Sequence, residues 1–460
     1  DIASGYSSED GQLLSLQPGK QSTVFPLATP GLLYPGDAGV PNNVVGTRWN
    51  NIAPRVGVAW DVFGNGRTSL RSGFGAYYVP LTRGITLNRL TLLQPYVLQV
   101  NISGGDAQNI FAAAPFNGVN PYPRATASDH AGLKQLAFVP TAGESSLPTT
   151  FKTEVNYEWS LSVQQALWRK STIEVDYVGS SDSHLTTSAE SNPAVYTPGV
   201  STTANTQSRR LYPQIGSVNS ILNVLSANYH SMQLDYSQRL SAGVFIKSAY
   251  TWSRALGVSG AQSEGNSGPR NPFNYRIDYS PLSIDVTNNW VTSAIWKPLS
   301  SHHFKPAVNA LVGGWQLGGI SILRSGAPIN LTSGRDNSLT GIGADTPDVI
   351  GSYAIANHSK ADKTAHWFNP AAFTQNAIGT FGTLGKNALR GPGYVNVDLN
   401  IQKNLRFAER YGVELKASMY NAFNHANLSN PTTGLTSANF GKITTATAPR
   451  VIEFGVRMTY

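Results

Sequence analysis

The 460-residue chain contains no cysteine. That absence excludes a disulfide scaffold, a thiolate zinc site, an iron–sulfur cluster and a cysteine nucleophile together. Charge is scarce too: 13% of residues are Asp, Glu, Lys or Arg, about half of the ~25% usual in soluble domains. With 40% hydrophobic residues, the shortfall is filled by Ser, Thr, Asn, Gln and Gly, and disorder driven by high charge is excluded. No uncharged apolar run approaches the ~20 residues of a membrane-spanning helix. The surplus of 34 Lys and Arg over 26 Asp and Glu gives a net charge of +8. These charges are scattered, the densest pair being Arg209-Arg210, whereas a nucleic-acid surface needs them clustered. No nucleic-acid partner is expected.

Catalytic signatures are missing as well. The eight histidines, His130, His184, His230, His302, His303, His358, His366 and His425, form neither a His-x-x-x-His nor a His-Glu-x-x-His arrangement, so a zinc hydrolase has no support. No Gly-x-Ser-x-Gly elbow or phosphate-cradling glycine loop occurs. Nothing selects a Ser-His-Asp set, and the chain is not expected to be an enzyme or to carry a cofactor.

What the chain does have is strict two-residue alternation, recurring about eleven times. At 451–460, Ile452, Phe454, Val456, Met458 and Tyr460 share one phase against Val451, Glu453, Gly455, Arg457 and Thr459. Alternate side chains of a strand face opposite ways, so each such segment is an amphipathic strand. Clear copies are centred on Val56–Val62, Val155–Val163, Val395–Ile401 and Val413–Met419, with weaker ones through 67–78, 171–179, 229–240, 243–254, 286–297 and 314–326. In 314–326 the phase slips near Gly318-Gly319, the signature of a bulge.

The segments run to ten residues or more, longer than the five or six of soluble sheets and close to the ~9–11 of tilted membrane strands. Aromatic residues (Trp60, Tyr77, Tyr78, Trp252, Tyr411) mark their ends, as interfacial girdles do. The polar phase carries ionisable groups, which a sandwich core would exclude and a wet lumen accepts. Short turns at Gly64-Asn65-Gly66, Trp168–Lys170, Leu240–Gly243 and Arg406–Arg410 alternate with long segments at 79–153, 181–228, 255–285, 327–391 and 425–449. Asn65-Gly66 is the pair that a type I′ hairpin demands. One short-side connection, 298–313 with His302-His303, is longer than its fellows. The pattern is that of an all-β, antiparallel transmembrane β-barrel with short periplasmic turns and long extracellular loops.

The motifs in and between these strands resemble the C-terminal barrel portion of a TonB-dependent receptor, of the Oar-like subfamily that bears a carboxypeptidase-regulatory domain. The resemblance rests on Arg48-Trp49-Asn50-Asn51-Ile52-Ala53-Pro54-Arg55, Asp336-Asn337-Ser338-Leu339-Thr340-Gly341 and Trp367-Phe368-Asn369-Pro370-Ala371-Ala372-Phe373. Arg390-Gly391-Pro392-Gly393-Tyr394 and Tyr420-Asn421-Ala422-Phe423-Asn424-His425 complete it. It implies a Gram-negative outer-membrane location, a lipid environment, and ligand capture by the extracellular loops followed by uptake. The terminal strand ending in Tyr460 is similar to the signal read by the outer-membrane barrel assembly machinery. A structural, adhesive or export-related barrel is the alternative.

The family's signal peptide, plug domain and TonB box are not identifiable here, so contact with TonB is expected only through a plug region outside this chain. Residues 1–53 are then an extracellular loop region, and 54–460 the C-terminal half of the barrel, about eleven of the 22 strands of outer-membrane transporters. Candidate ligand contacts lie in the long loop: Asp336, Asn337 and Asp345, with Trp367 and Phe368. The acids, with Asp348, could gather round Ca²⁺, which takes six to eight oxygens, although the spacing fits no EF-hand and a hydrogen-bonded loop competes. The two aromatic residues could stack on a sugar or anchor the loop by packing.

Overall fold

The computed structural model of the chain describes residues 15–40, 50–79, 152–168, 170–240, 243–258, 268–298, 311–354, 359–407 and 411–460, with short pieces at 108–109, 112, 138, 143–147 and 308. Arg48-Trp49, His302-His303, most of 79–153 and the turn residues Arg169, Ser241-Ala242 and 408–410 lie outside the described residues. Eleven strands follow one another as antiparallel neighbours in a single sheet. They are β1 (Arg55–Asp61), β2 (Thr68–Val79), β3 (Glu154–Ala166), β4 (Ser171–Glu190) and β5 (Val218–Arg239). There follow β6 (Val244–Val258), β7 (Asn288–Trp296), β8 (Trp315–Arg324), β9 (Tyr394–Phe407), β10 (Tyr411–Tyr420) and β11 (Val451–Thr459). Two short strands extend it: Glu144–Ser146 lies parallel to β5, and Tyr279–Pro281 antiparallel to β6.

The register joins the apolar phases of the strands into one face, although β8 divides its apolar residues between the two. Trp60, Leu70, Val163, Val175, Leu234, Tyr250, Trp290, Leu323 and Val395 are successive cross-strand partners from β1 to β9. Leu399–Met419–Ile452 and Ile401–Ala417–Phe454 carry the same face through β10 to β11. A slip of one residue anywhere would invert a strand, so this continuity is a property of the whole sheet. The opposite face holds the carboxylates: Glu174 lies across from Asp235, Ser162 from Asp176 and Ser418 from Glu453. There Arg71 reaches Glu174 at 3.9 Å and Gln164 at 3.2 Å.

That row also climbs. Trp60 is one residue from the short-turn end of β1, whereas Val395 is one residue from the long-loop end of β9. A lateral row that travels from one end of the strands to the other is the stagger of tilted barrel strands.

Three details depart from the expectations. First, β4 and β5 continue well past the predicted stretches, to Glu190 and back to Val218. A bulge at His184, whose φ is +62°, shifts the register there. Beyond it Leu185, Thr186 and Thr187 are all buried, so the extension is covered on both faces and carries no two-residue alternation. Second, no bulge occurs at Gly318-Gly319; the pairing of β8 with both neighbours is unbroken. The apparent slip arises because Ile320 and Ile322 lie on the polar face, opposite Asp398 and Asn396. Third, the β1–β2 turn is not a two-residue type I′ turn. Gly64 and Gly66 take positive φ (+66° and +69°) and Asn65 does not. The loop is tied instead by side chains, with Gly66 N donating to Asp61 Oδ2 (2.8 Å) and Arg67 N to Asn65 Oδ1 (3.0 Å).

Candidate functional site

At the long-loop end the chain builds a packed cap rather than a set of free loops. Its first part joins the N-terminal segment to the β4–β5 loop. Ser15–Leu16 pairs with Leu32–Leu33, and Phe25, Ala28, Leu32 and Tyr34 bury against Ile215 and Val218. Phe25 and Tyr34 meet edge-on, ring centroids 4.7 Å apart. Asp37 organises the turn beneath them: Oδ1 accepts from Thr23 N (2.6 Å) and Val24 N (3.1 Å), Oδ2 from Ser22 Oγ (2.7 Å) and Tyr34 N (2.9 Å). Burial alone would raise the pKa of this carboxyl, but the hydrogen bonds from Ser22, Tyr34 and Thr23 outweigh it and hold the group below its ordinary value.

A second core sits over the strand extensions, where Leu185, Leu225, Ala227, Ala255, Val258 and Leu282 pack together. The third belongs to the 327–391 loop, closed by Phe440 of the β10–β11 loop. Ile329, Leu331, Phe368, Ala372, Phe373, Leu384 and Leu389 form it with Phe440. The rings of Phe368, Phe373 and Phe440 meet edge-on at 5.0–5.8 Å, the favoured aromatic geometry.

Buried ion pairs fasten these parts to one another. Asp278, fully buried, takes Arg270 Nε at 2.8 Å and Lys386 Nζ at 3.2 Å. Arg270 also donates through Nη1 to Leu384 O (2.8 Å) and to Thr346. Arg390 pairs with the buried Asp285, whose Oδ1 accepts from Ala255 N (2.6 Å). The β6–β7 loop is thereby clamped to the β8–β9 loop. Sequence reading named Arg390 only within a motif and did not find these pairings, since their partners are far apart in the chain and no local pattern links them.

The predicted loop residues fall into two groups. Asp336, Asn337 and Asp345 share one hydrogen-bonded turn. Asp336 accepts from Ser338 Oγ (2.9 Å), Thr340 N (3.2 Å) and Gly341 N (2.8 Å). Asp345 Oδ2 accepts from Ser338 N (2.7 Å) and Asn376 Nδ2 (3.1 Å), and Asn337 Nδ2 donates to Asn376 O (2.7 Å). Burial pushes the Asp345 carboxyl above its ordinary pKa. Asp348 stands apart, accepting from Ala377 N and Thr383 N. Among the described residues no group of three or more His, Asp or Glu is placed to hold a metal. Phe368 is spent on the core, at 2% exposure. Trp367 is half-buried, its Nε1 donating to Arg390 O (2.7 Å).

Solved structures similar to this chain include the outer membrane transporter YddB from Escherichia coli, at 11% identity and a TM-score of 0.46 over 91% of this chain and 41% of that one. The ferripyoverdine receptor of the outer membrane of Pseudomonas aeruginosa matches at 10% identity and 0.42, over 91% and 34%. BauA, the ferric preacinetobactin receptor of Acinetobacter baumannii, matches at 9% and 0.41, over 88% and 36%. The chain therefore spans from about a third to two-fifths of the length of these neighbours. No curated protein matches its sequence. The model of a family described as an outer membrane beta barrel domain covers residues 1–453, nearly the whole of a chain whose strands carry one apolar and one polar face. The chain belongs to that outer membrane β-barrel family.

Proposed function

We propose that this chain is the ligand-capturing barrel portion of a TonB-dependent, Oar-like uptake receptor. The observation that carries the reading is the cap: three apolar cores and two ion-pair clamps stand on the long-loop end of a barrel wall whose other end has short turns. A cap so organised presents a fixed surface toward the outside, where a scarce ligand is met, and the polar face of the strands offers a wet wall behind it. Residues 1–53 belong to this outer region, and 54–460 supply the C-terminal half of the barrel. The direction of the strands supports that division. Eleven sequential antiparallel strands leave β1 and β11 running the same way, each with one neighbour among the described residues. In lipid an open edge leaves N–H and C=O groups unsatisfied at several kcal/mol each, so further strands are needed beside them.

Asp336, Asn337 and Trp367 are the partly exposed cap residues proposed to meet ligand; an iron chelate, an oligosaccharide and a peptide all fit this role. Energy reaches the barrel through TonB acting on a plug region. The test is accumulation of a labelled panel of those three ligand classes in cells with and without TonB. Accumulation of one class only when both this protein and TonB are present is the expected result. Cell–surface adhesion lost on removing residues 327–391, with no TonB-dependent uptake, would favour the adhesive alternative instead.

A further inference from the structure

The apolar face has one unsatisfied cation. Below the bulge at His184, no Asp or Glu of the eleven strands lies on that face; Asp61, Glu158, Glu174, Asp235, Asp398 and Glu453 are all on the other. Two permanent cations do lie on it. Lys403, toward the short turns, is satisfied: its ammonium donates to Leu311 O (3.0 Å) and Gly313 O and sits 4.9 Å from the Trp315 ring centre. Arg254 is not. It is exposed, next in phase to Trp252 and directly opposite His230, and it makes no ion pair or hydrogen bond among the described residues.

The height of Arg254 is that of the outer lipid–water boundary. It lies about ten residues from the short-turn end of β6, which at ~3.3 Å per residue and a tilt near 40° is ~25 Å, the height of the apolar band. One row below, the face is apolar and aromatic, with Tyr177, Met232 and Trp252; one row above, polar Ser181 and Asn228 enter it between Tyr157 and Leu256. An Arg exposed to hydrocarbon is costly at the midplane and nearly free at the boundary, where anionic head groups stand.

His230 is held ready beside it. Trp159 Nε1 donates to Tyr177 Oη (3.4 Å), and Tyr177 Oη lies 2.8 Å from His230 Nδ1. In the tautomer in which Tyr177 Oη donates to Nδ1, Nε2–H is a donor, and Nε2 has no partner among the described residues. Gly179 makes the relay possible, because a Cβ there would fall within the Trp159 ring.

We propose that Arg254 and His230 form a binding site for the phosphate of an anionic lipid in the outer leaflet, with Trp252, Met232 and Tyr177 meeting its acyl chains. The missing carboxylates and the boundary height supply the complementarity: the guanidinium gives paired donors suited to phosphate, and the apolar rows below supply the surface that a free anion would not use.

The test takes the protein isolated from outer membranes into nanodiscs of zwitterionic lipid. Native mass spectrometry then follows titration with a bisphosphorylated glucosamine-based lipid, with its dephosphorylated form, and with inorganic phosphate as competitor. The phosphorylated lipid should bind about tenfold more tightly than the dephosphorylated form, and Arg254→Gln should erase that preference while Arg254→Lys, which keeps the charge but not the paired donors, retains only part of it. His230→Gln should weaken it, and millimolar inorganic phosphate should not displace the lipid. Unchanged heat-modifiable migration of each variant shows that the barrel has folded. An Arg254→Gln barrel that discriminates as well as the parent would overturn the proposal, and so would displacement of the lipid by inorganic phosphate alone.

Discussion

Leu399 and Asn400 are adjacent on β9 at one depth, yet they face different solvents. Leu399 lies between Gly319 and Met419 on the apolar face. Asn400 lies between Gly318 and Ser418 on the polar face and donates to Ser418 Oγ (3.1 Å). Leu399→Arg should cost ~2–4 kcal/mol of folding free energy if it enters hydrocarbon near the midplane. Asn400→Arg should cost only the hydrogen bond, ~0.5–1.5 kcal/mol. Urea titrations of both variants in lipid vesicles measure the difference; equal costs would mean that the faces are misassigned. Two carboxyls of the cap predict opposite responses to acid. Asp37, held below its ordinary pKa, contributes stability that is present above the unfolded value and lost as pH falls through the folded one. Asp345, raised by burial, favours the protonated form, so its turn is most stable in acid and loosens as pH rises through the raised value. Hydrogen exchange at the Tyr34 and Ser333 amides, corrected for intrinsic rates, should show the first opening more readily toward pH ~3 and the second less readily. Parallel trends would contradict the two assignments.

At the scale of elements, the clamps between the β6–β7 and β8–β9 loops decide whether the cap is one body. Asp278→Ala leaves Arg270 and Lys386 buried without their partner, which costs ~3–5 kcal/mol. The expected outcome is early proteolysis within 268–285 and 381–390 while the strands stay protected; an unchanged digestion pattern would show that the apolar cores hold the cap unaided. On β11, Ile452, Phe454, Val456 and Met458 continue the apolar face of β10, and Tyr460, just past the strand, is 94% exposed. If the assembly machinery reads this segment, Tyr460→Asp should lower the amount of protein in the outer membrane without altering its synthesis, as quantified in membrane fractions. The eleven strands of the described sheet were legible as segments, because a strand with one apolar face writes its register in a period of two; at β8 the register was not, because Ile320 and Ile322 on the polar face mimic a slip. The extensions of β4 and β5 were not, because Leu185 to Thr187 are covered on both sides. Of the cap, the turn joining Asp336 to Asp345 was visible in part, as short-range acceptors near Ser and Gly. The Arg270–Asp278–Lys386 cluster was invisible, since only the folded loops bring it together.

The described part of the molecule is a tilted, staggered wall with a mainly apolar surface on one side, interrupted by Lys403 and Arg254, the carboxylates on the other and a fastened cap at the long-loop end. Its central claim is that the surface running from Trp60 to Val395 and on to Phe454 contacts lipid while the opposite face contacts water. The chain has no cysteine, so a single cysteine placed in it is the one thiol these 460 residues carry. The most direct measurement is a set of substitutions on consecutive positions in intact outer membranes: Leu161→Cys, Met232→Cys and Leu399→Cys against Ser160→Cys, Gln233→Cys and Asn400→Cys. The first three should resist a water-soluble maleimide and, once labelled with a fluorophore, be quenched by lipid-borne nitroxide. The second three should react readily with the maleimide and escape that quencher. The same reactivity and quenching at both sets, or an inverted pattern, would contradict the account.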